Sequence, residues 1–142
     1  MFKITENLIR LNVDFENWEE IIKFGGKLLE EEGIATREYS TSIIEGTKKL
    51  GPYYVITKHI AMPHARPEDG VIQSGICFIS LKNGVNFGSE NDPVKYVFLV
   101  AMEDNNSHIE FIQFLSDLIE NKEFYKVVNL GNSKKEIINF FK

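Results

Sequence analysis

Three histidines, His59, His64 and His108, are the side chains of this 142-residue chain best suited to nucleophilic or proton chemistry near neutral pH. His64 stands in Ala61-Met62-Pro63-His64-Ala65-Arg66-Pro67-Glu68, just past a short apolar run and with proline at positions 63 and 67. Proline fixes φ and stiffens the connection, and a stiff mount suits a group that must meet a partner in one geometry. An exposed loop histidine without a role fits the same residues equally well. His108 lies in Ser107-His108-Ile109-Glu110, whose capping-box spacing predicts a helix with Ser107 as its cap and His108 at its first position. Free amides and the dipole at such a terminus favour anions and disfavour an imidazolium. A neutral His108 there offers one directed hydrogen bond. The plainer reading is a polar first-turn residue. If the loop of His64 and the helix of His108 leave strands at one sheet edge, as strand ends and helix starts do in α/β folds, the two rings converge.

Other chemistries fare worse. No GxxxxGK[ST] loop, GxGxxG turn or GxSxG elbow occurs. The histidines lack the short spacing of common metal sites, even with Glu103 or Asp104 added, so neither a metal nor another cofactor is expected. The single cysteine, Cys77, sits in Ile76-Cys77-Phe78-Ile79 and reads as a small buried side chain. That leaves a histidine which is itself the nucleophile.

Charge and hydropathy narrow the partners. Sixteen Lys and Arg against 21 Asp and Glu give a net charge of −5, with no basic block beyond the pairs Lys48-Lys49 and Lys134-Lys135. Nucleic acid, which draws much of its affinity from phosphate neutralisation, is an unsuitable ligand. The longest apolar run, Tyr96 to Met102, is far below the roughly 20 residues that span a bilayer, so direct membrane insertion is not expected. The N-terminal residues have neither a signal-peptide core nor a transit-peptide composition, and a cytoplasmic location is expected.

The elements that must position the histidines follow from periodicity. Asn17 to Glu32 reads as a helix with Asn17 and Glu20 at capping-box spacing and Gly33 as its stop; a second helix runs from Thr36 or Arg37 to about Leu50. Tyr53 to Thr57, Ile60 to Met62 and Gly75 to Leu81 read as strands. Asn83-Gly84 signals a tight turn before Val85-Asn86-Phe87. Val94 to Ala101 is apolar enough for a strand buried on both faces. The helix opening at Ser107 is expected to bury Phe111, Ile112, Leu115, Leu118 and Ile119, followed by a short helix around Phe124 to Asn129 and a last one begun by Ser133 and Glu136. No linker or repeat divides the chain, so residues 1–142 form one α/β domain, a mixed four- to five-stranded sheet flanked by helices.

With these residues in view, the chain resembles the mannitol/fructose-type IIA domains of the bacterial phosphotransferase system (PTS). The resemblance rests on Gly51-Pro52-Tyr53, Pro63-His64-Ala65-Arg66-Pro67-Glu68, Gly70-Val71, Phe87-Gly88, Asn91-Asp92-Pro93-Val94 and the helix carrying His108. The full ordered set looks most like the ascorbate-type branch of these type 2 EIIA components. The resemblance implies that His64 accepts a phosphoryl group from the phosphohistidine of HPr and passes it to a cysteine of a cognate EIIB. Indirectly this feeds the membrane component EIIC during sugar uptake. His108 corresponds to the second active-site histidine. The alternative is a regulatory IIA-like module whose phosphorylation state controls a partner protein.

The sequence departs from the pattern in two places. Mannitol-type members carry an active-site arginine where this chain has Thr47-Lys48-Lys49; Lys48 offers a point charge in place of a bidentate fork, with Arg66 and the helix terminus at Ser107 as the other candidate neighbours of a phosphate. His59, in Lys58-His59, is expected to face solvent at a strand edge.

Overall fold

The computed structural model describes residues 2–131 and 133–142. Five strands form one mixed sheet: β1 (Ile9–Val13), β2 (Val55–Thr57), β3 (Ile60–Ala61), β4 (Gly75–Val85) and β5 (Val94–Ala101), in the order β1-β4-β5-β3-β2. The central pair β4–β5 is antiparallel, whereas β1 runs parallel to β4 and β3 parallel to β5. Helices α1 (Trp18–Glu31) and α2 (Arg37–Leu50) cover one face; α3 (Asn105–Leu118), α4 (Lys122–Leu130) and α5 (Lys134–Asn139) cover the other.

Strand alternation explains why both faces are filled. Along β4, Cys77, Ile79 and Leu81 join the cluster under α1 and α2, while Ile76 and Phe78 join the cluster under α3 to α5. Along β5, Val97, Leu99 and Ala101 point one way and Phe98 and Val100 the other. Successive strand residues face opposite sides, so a near-continuous apolar run is what a doubly covered strand requires. Cys77 is fully buried, which pushes its thiol up to about 12 and leaves it inert near neutral pH.

Capping follows the sequence in α1 and α5, where the side chains of Asn17 and Ser133 accept from the backbone N–H of Glu20 and Glu136. Helix α2 ends at Gly51, whose φ of 85° is cheap only for glycine. Elsewhere the expectations need correction. Strand β1 was not expected; its residues include Arg10 and Asn12, and the positive φ of Asn12 accompanies a break in the register with β4. Tyr53 and Tyr54 form a turn, and the strand begins only at Val55. Asn83-Gly84 makes no hairpin turn: β4 continues through it to Val85, and the missing Cβ of Gly84 makes room for Pro93, since a carbon there would lie 2.6 Å from the proline Cβ. The chain reverses later, where the Asp92 carboxylate accepts from the N–H groups of Phe87, Gly88 and Ser89 at 2.8 to 3.0 Å. His59 is half-buried rather than solvent-facing: its Nδ1 donates to the Pro93 carbonyl at 2.7 Å, and it occupies the β2–β3 turn with a φ of 72°. Ile112 is 43% exposed and lies outside the core.

Candidate active site

Strands β3 and β5 run parallel, so their C-terminal ends reach the same edge of the sheet. The chain leaving β3 carries His64 and the chain leaving β5 enters α3 with His108. Their rings stand with centroids 4.8 Å apart at the side of a cleft of about 350 Å³. The cleft is walled by α2 through Tyr39, Ser42, Gly46 and Leu50, and by Asp104 and Asn105 at the head of α3. A Cβ built on Gly46 would meet nothing within 4 Å, so this wall stays open beside the histidines.

His64 is half-buried, and its orientation is set by one bond. Its Nδ1 lies 2.8 Å from the Met62 carbonyl oxygen, which can only accept, so Nδ1 carries the proton and Nε2 is left with a free lone pair. Tyr53 packs edge-on against the ring (centroids 5.7 Å, 85° between planes), and its hydroxyl donates to the His64 carbonyl at 3.3 Å. The loop beyond is held by Arg66, whose backbone N–H and guanidinium both donate to the Asp69 carboxylate.

Asp104, rather than Ser107, caps α3. Its carboxylate accepts from the Ser107 N–H at 2.8 Å, and His108 is therefore the fourth helical residue, its own N–H already donated to the Asp104 carbonyl at 3.1 Å. The expected free amides at Ser107 and His108 are thus occupied, and the favourable place for an anion is filled by the protein's own carboxylate. These hydrogen bonds hold Asp104 below the usual carboxylate range. Burial, and then the like charge of His64, push His108 below the ordinary histidine value, so two adjacent imidazolium ions are avoided.

The remaining candidates are placed less favourably. Lys48 points away from the cleft, with its ammonium 3.6 Å from the Glu19 carboxylate on α1. Arg66 does line the rim, but its fork is engaged with Asp69 and its other face lies 4.0 Å from Glu68. Among the described residues, no three His, Cys, Asp or Glu side chains are grouped to hold a metal ion. Sequence reasoning missed Tyr39, met Tyr53 only as a strand residue and within Gly51-Pro52-Tyr53, and weighed Asp104 only as a metal ligand and not as a helix cap. The capping role had a legible signal, since Asp104 stands three residues before Ser107 as a helix cap would.

Matches to known proteins define the family and the fold. Residues 3–142 match the family model described as "Phosphoenolpyruvate-dependent sugar phosphotransferase system, EIIA 2". A relative from Escherichia coli strain K12, the ascorbate-specific PTS system EIIA component, is 34% identical over 133 residues, covering 92% of this chain and 86% of its own. Among solved structures, a PTS IIA from Streptococcus mutans superposes with a TM-score of 0.86 at 30% identity, covering 95% of this chain and 87% of the other. The Escherichia coli mannitol enzyme IIA, solved in complex with phosphorylated enzyme IIB, gives 0.82 at 29% identity over 99% and 97% of the two chains. The fold and the full-length family match are those of a phosphotransferase-system protein. The chain belongs to the EIIA type 2 family of the phosphoenolpyruvate-dependent sugar phosphotransferase system.

Proposed function

We propose that His64 is the residue on which this chain carries phosphorus, through Nε2, between phospho-HPr and a cysteine of its cognate EIIB. The observation that carries this reading is the Nδ1–H bond to Met62, which leaves Nε2 as the only basic nitrogen of the ring. In the first step Nε2 attacks phosphorus, the new N–P bond forms, and the N–P bond of the donor histidine breaks with its electron pair returning to the donor ring. In the second step a cysteine thiolate of EIIB forms an S–P bond as the Nε2–P bond breaks. Both transfers are matters of alignment more than driving force, and a ring locked in one tautomer supplies it.

His108 is close enough to donate a hydrogen bond to the phosphoryl oxygens, and its lowered basicity keeps it neutral beside the unphosphorylated ring. Leu50 and Tyr53, each more than half exposed, line the cleft with the two histidines, and the equally exposed Ile109 follows His108 on α3; together they offer apolar surface of the kind that macromolecular partners cover. The ascorbate-specific relatives favour uptake of a sugar acid of that type over a purely regulatory role.

Incubation with phosphoenolpyruvate, Enzyme I and HPr is expected to place acid-labile, alkali-stable phosphate on the wild-type protein and none on His64→Ala. Equal labelling of the two would overturn the assignment. His108→Ala is expected to accept phosphate yet pass it to EIIB on the order of 10²-fold more slowly, as loss of a positioned donor does.

A further inference from the structure

The backbone bearing His64 continues the β3–β5 ladder for one step after β3 has ended. In a parallel ladder a residue donates its N–H to one partner residue and accepts, through its carbonyl, from the residue two further on. Val100 makes the first of these bonds, from its N–H to the Pro63 carbonyl at 3.0 Å. The second would run from the Ala65 N–H to the Val100 carbonyl, placing His64 opposite Val100. That direct bond is replaced by the hydroxyl of Tyr39, which accepts from the Ala65 N–H at 3.1 Å and donates to the Val100 carbonyl at 2.6 Å. The Ala65 carbonyl, at 3.4 Å, is the poorer claimant for the single hydroxyl proton.

We infer that Tyr39 is a positioning residue for the relay, its hydroxyl spliced into the sheet as a wedge that sets His64 off the edge of β5 and holds it there. This rests on the reading of His64 as the phosphoryl carrier. The wedge is rigid because Tyr39 is 1% exposed and anchored in the first turn of α2. Its burial raises the phenol's pKa, so the hydroxyl remains a donor throughout the neutral range. Removing it leaves the loop two choices. It can collapse onto Val100 in a direct bond, dragging His64 with it, or it can leave the half-buried Ala65 N–H and the buried Val100 carbonyl unpaired. Either one disturbs the Nδ1–H bond to Met62 two residues away.

The test is Tyr39→Phe, read in two ways. In long-range proton–nitrogen spectra of the imidazoles, wild-type His64 is expected in the Nδ1–H form and the variant as a mixture of tautomers. In single-turnover transfer from phospho-HPr, the rate at saturating donor is expected to fall on the order of 10- to 100-fold, with little change in the donor concentration giving half the maximal rate. A variant that melts earlier but keeps the wild-type tautomer and rate assigns Tyr39 a merely structural part and overturns the inference. Should the variant fail to fold, amide exchange in the wild type decides: Ala65 is expected to be protected like the β5 amides, and rapid exchange overturns the inference. Tautomer and exchange are independent of phosphorylation, so an unlabelled wild-type His64 would remove the carrier reading without deciding the question of Tyr39.

Discussion

At the scale of single residues, hydrogen bonding and burial set the state of the two histidines. His64 has its Nδ1 proton committed to a backbone carbonyl, and His108 has its charged form disfavoured by burial and by its neighbour. The second fact has a consequence for stability. A histidine whose folded pKa lies below its unfolded value binds fewer protons in the native state, so stability rises with pH across that interval. Its contribution is complete above the unfolded value near 6.5 and is lost as pH falls toward the folded value. Urea unfolding at pH 7.5 and pH 5.5 is therefore expected to show a stability loss on acidification that is smaller in His108→Gln. An equal loss in both proteins would place the proton uptake elsewhere. The lowered carboxyls, Glu38, Asp69 and Asp104, act in the same direction, but their stabilisation is lost only as pH falls below about 4.5 and does not confuse this window. His64 stood out in the chain because prolines bracket it, whereas His108 stood out on an expected cap at Ser107 that Asp104 in fact supplies. Tyr39 was not, because a tyrosine on a helix face looks the same whether it fills the core or bridges two backbones.

At the scale of elements, the instructive case is the start of α3. Capping-box spacing pointed to Ser107, yet Asp104 takes the cap, because a carboxylate is the stronger acceptor and the chain leaving β5 delivers it to the helix axis one turn earlier. His108 is thereby moved from the helix mouth into its second turn, where its ring faces His64. Asp104→Ala is expected to lower the thermal midpoint and Asp104→Asn to restore most of it, since asparagine caps without charge. If neither variant moves the midpoint, the cap contributes nothing measurable. A second element-level expectation concerns the apolar rim: Ile109→Asp is expected to leave the midpoint nearly unchanged while slowing phosphate exchange with HPr or EIIB, because Ile109 is 53% exposed on α3 beside His108. Unchanged exchange with both partners would exclude this part of the rim from docking. Asn83-Gly84 teaches the converse lesson. The dipeptide is a turn signal only while nothing else needs the space, and here Pro93 occupies it.

At the scale of the whole molecule, stability and site share the central strands. Phe78 and Phe98 are fully buried, with centroids 4.9 Å apart, and both pack on Phe124 of α4. Truncation of Phe78 to alanine is expected to cost about 3–5 kcal/mol, measured as a lower urea midpoint with an unchanged slope. A cost below about 1 kcal/mol would mean that the helices relax into the cavity. The geometry at the other end of the sheet, where Asp92 gathers three amides and His59 ties to Pro93, is architectural: these residues lie at the start of β5, opposite the end that bears His64.

The sequence by itself determined the elements whose signals are local. Asn17, Ser133 and Gly51 mark helix ends through bonds and dihedrals within a few residues, and the unbroken apolar run of β5 declares its own double burial. It also placed His64 on a stiff loop. Only the tertiary structure decided the strand order, the meeting of His64 with His108, and the passage of β4 through Asn83-Gly84, because each depends on groups far apart in the chain competing for one space or one hydrogen bond. Tyr39 shows why: its hydroxyl lies between backbone groups 26 and 61 residues away, and no local pattern encodes a bond at that separation.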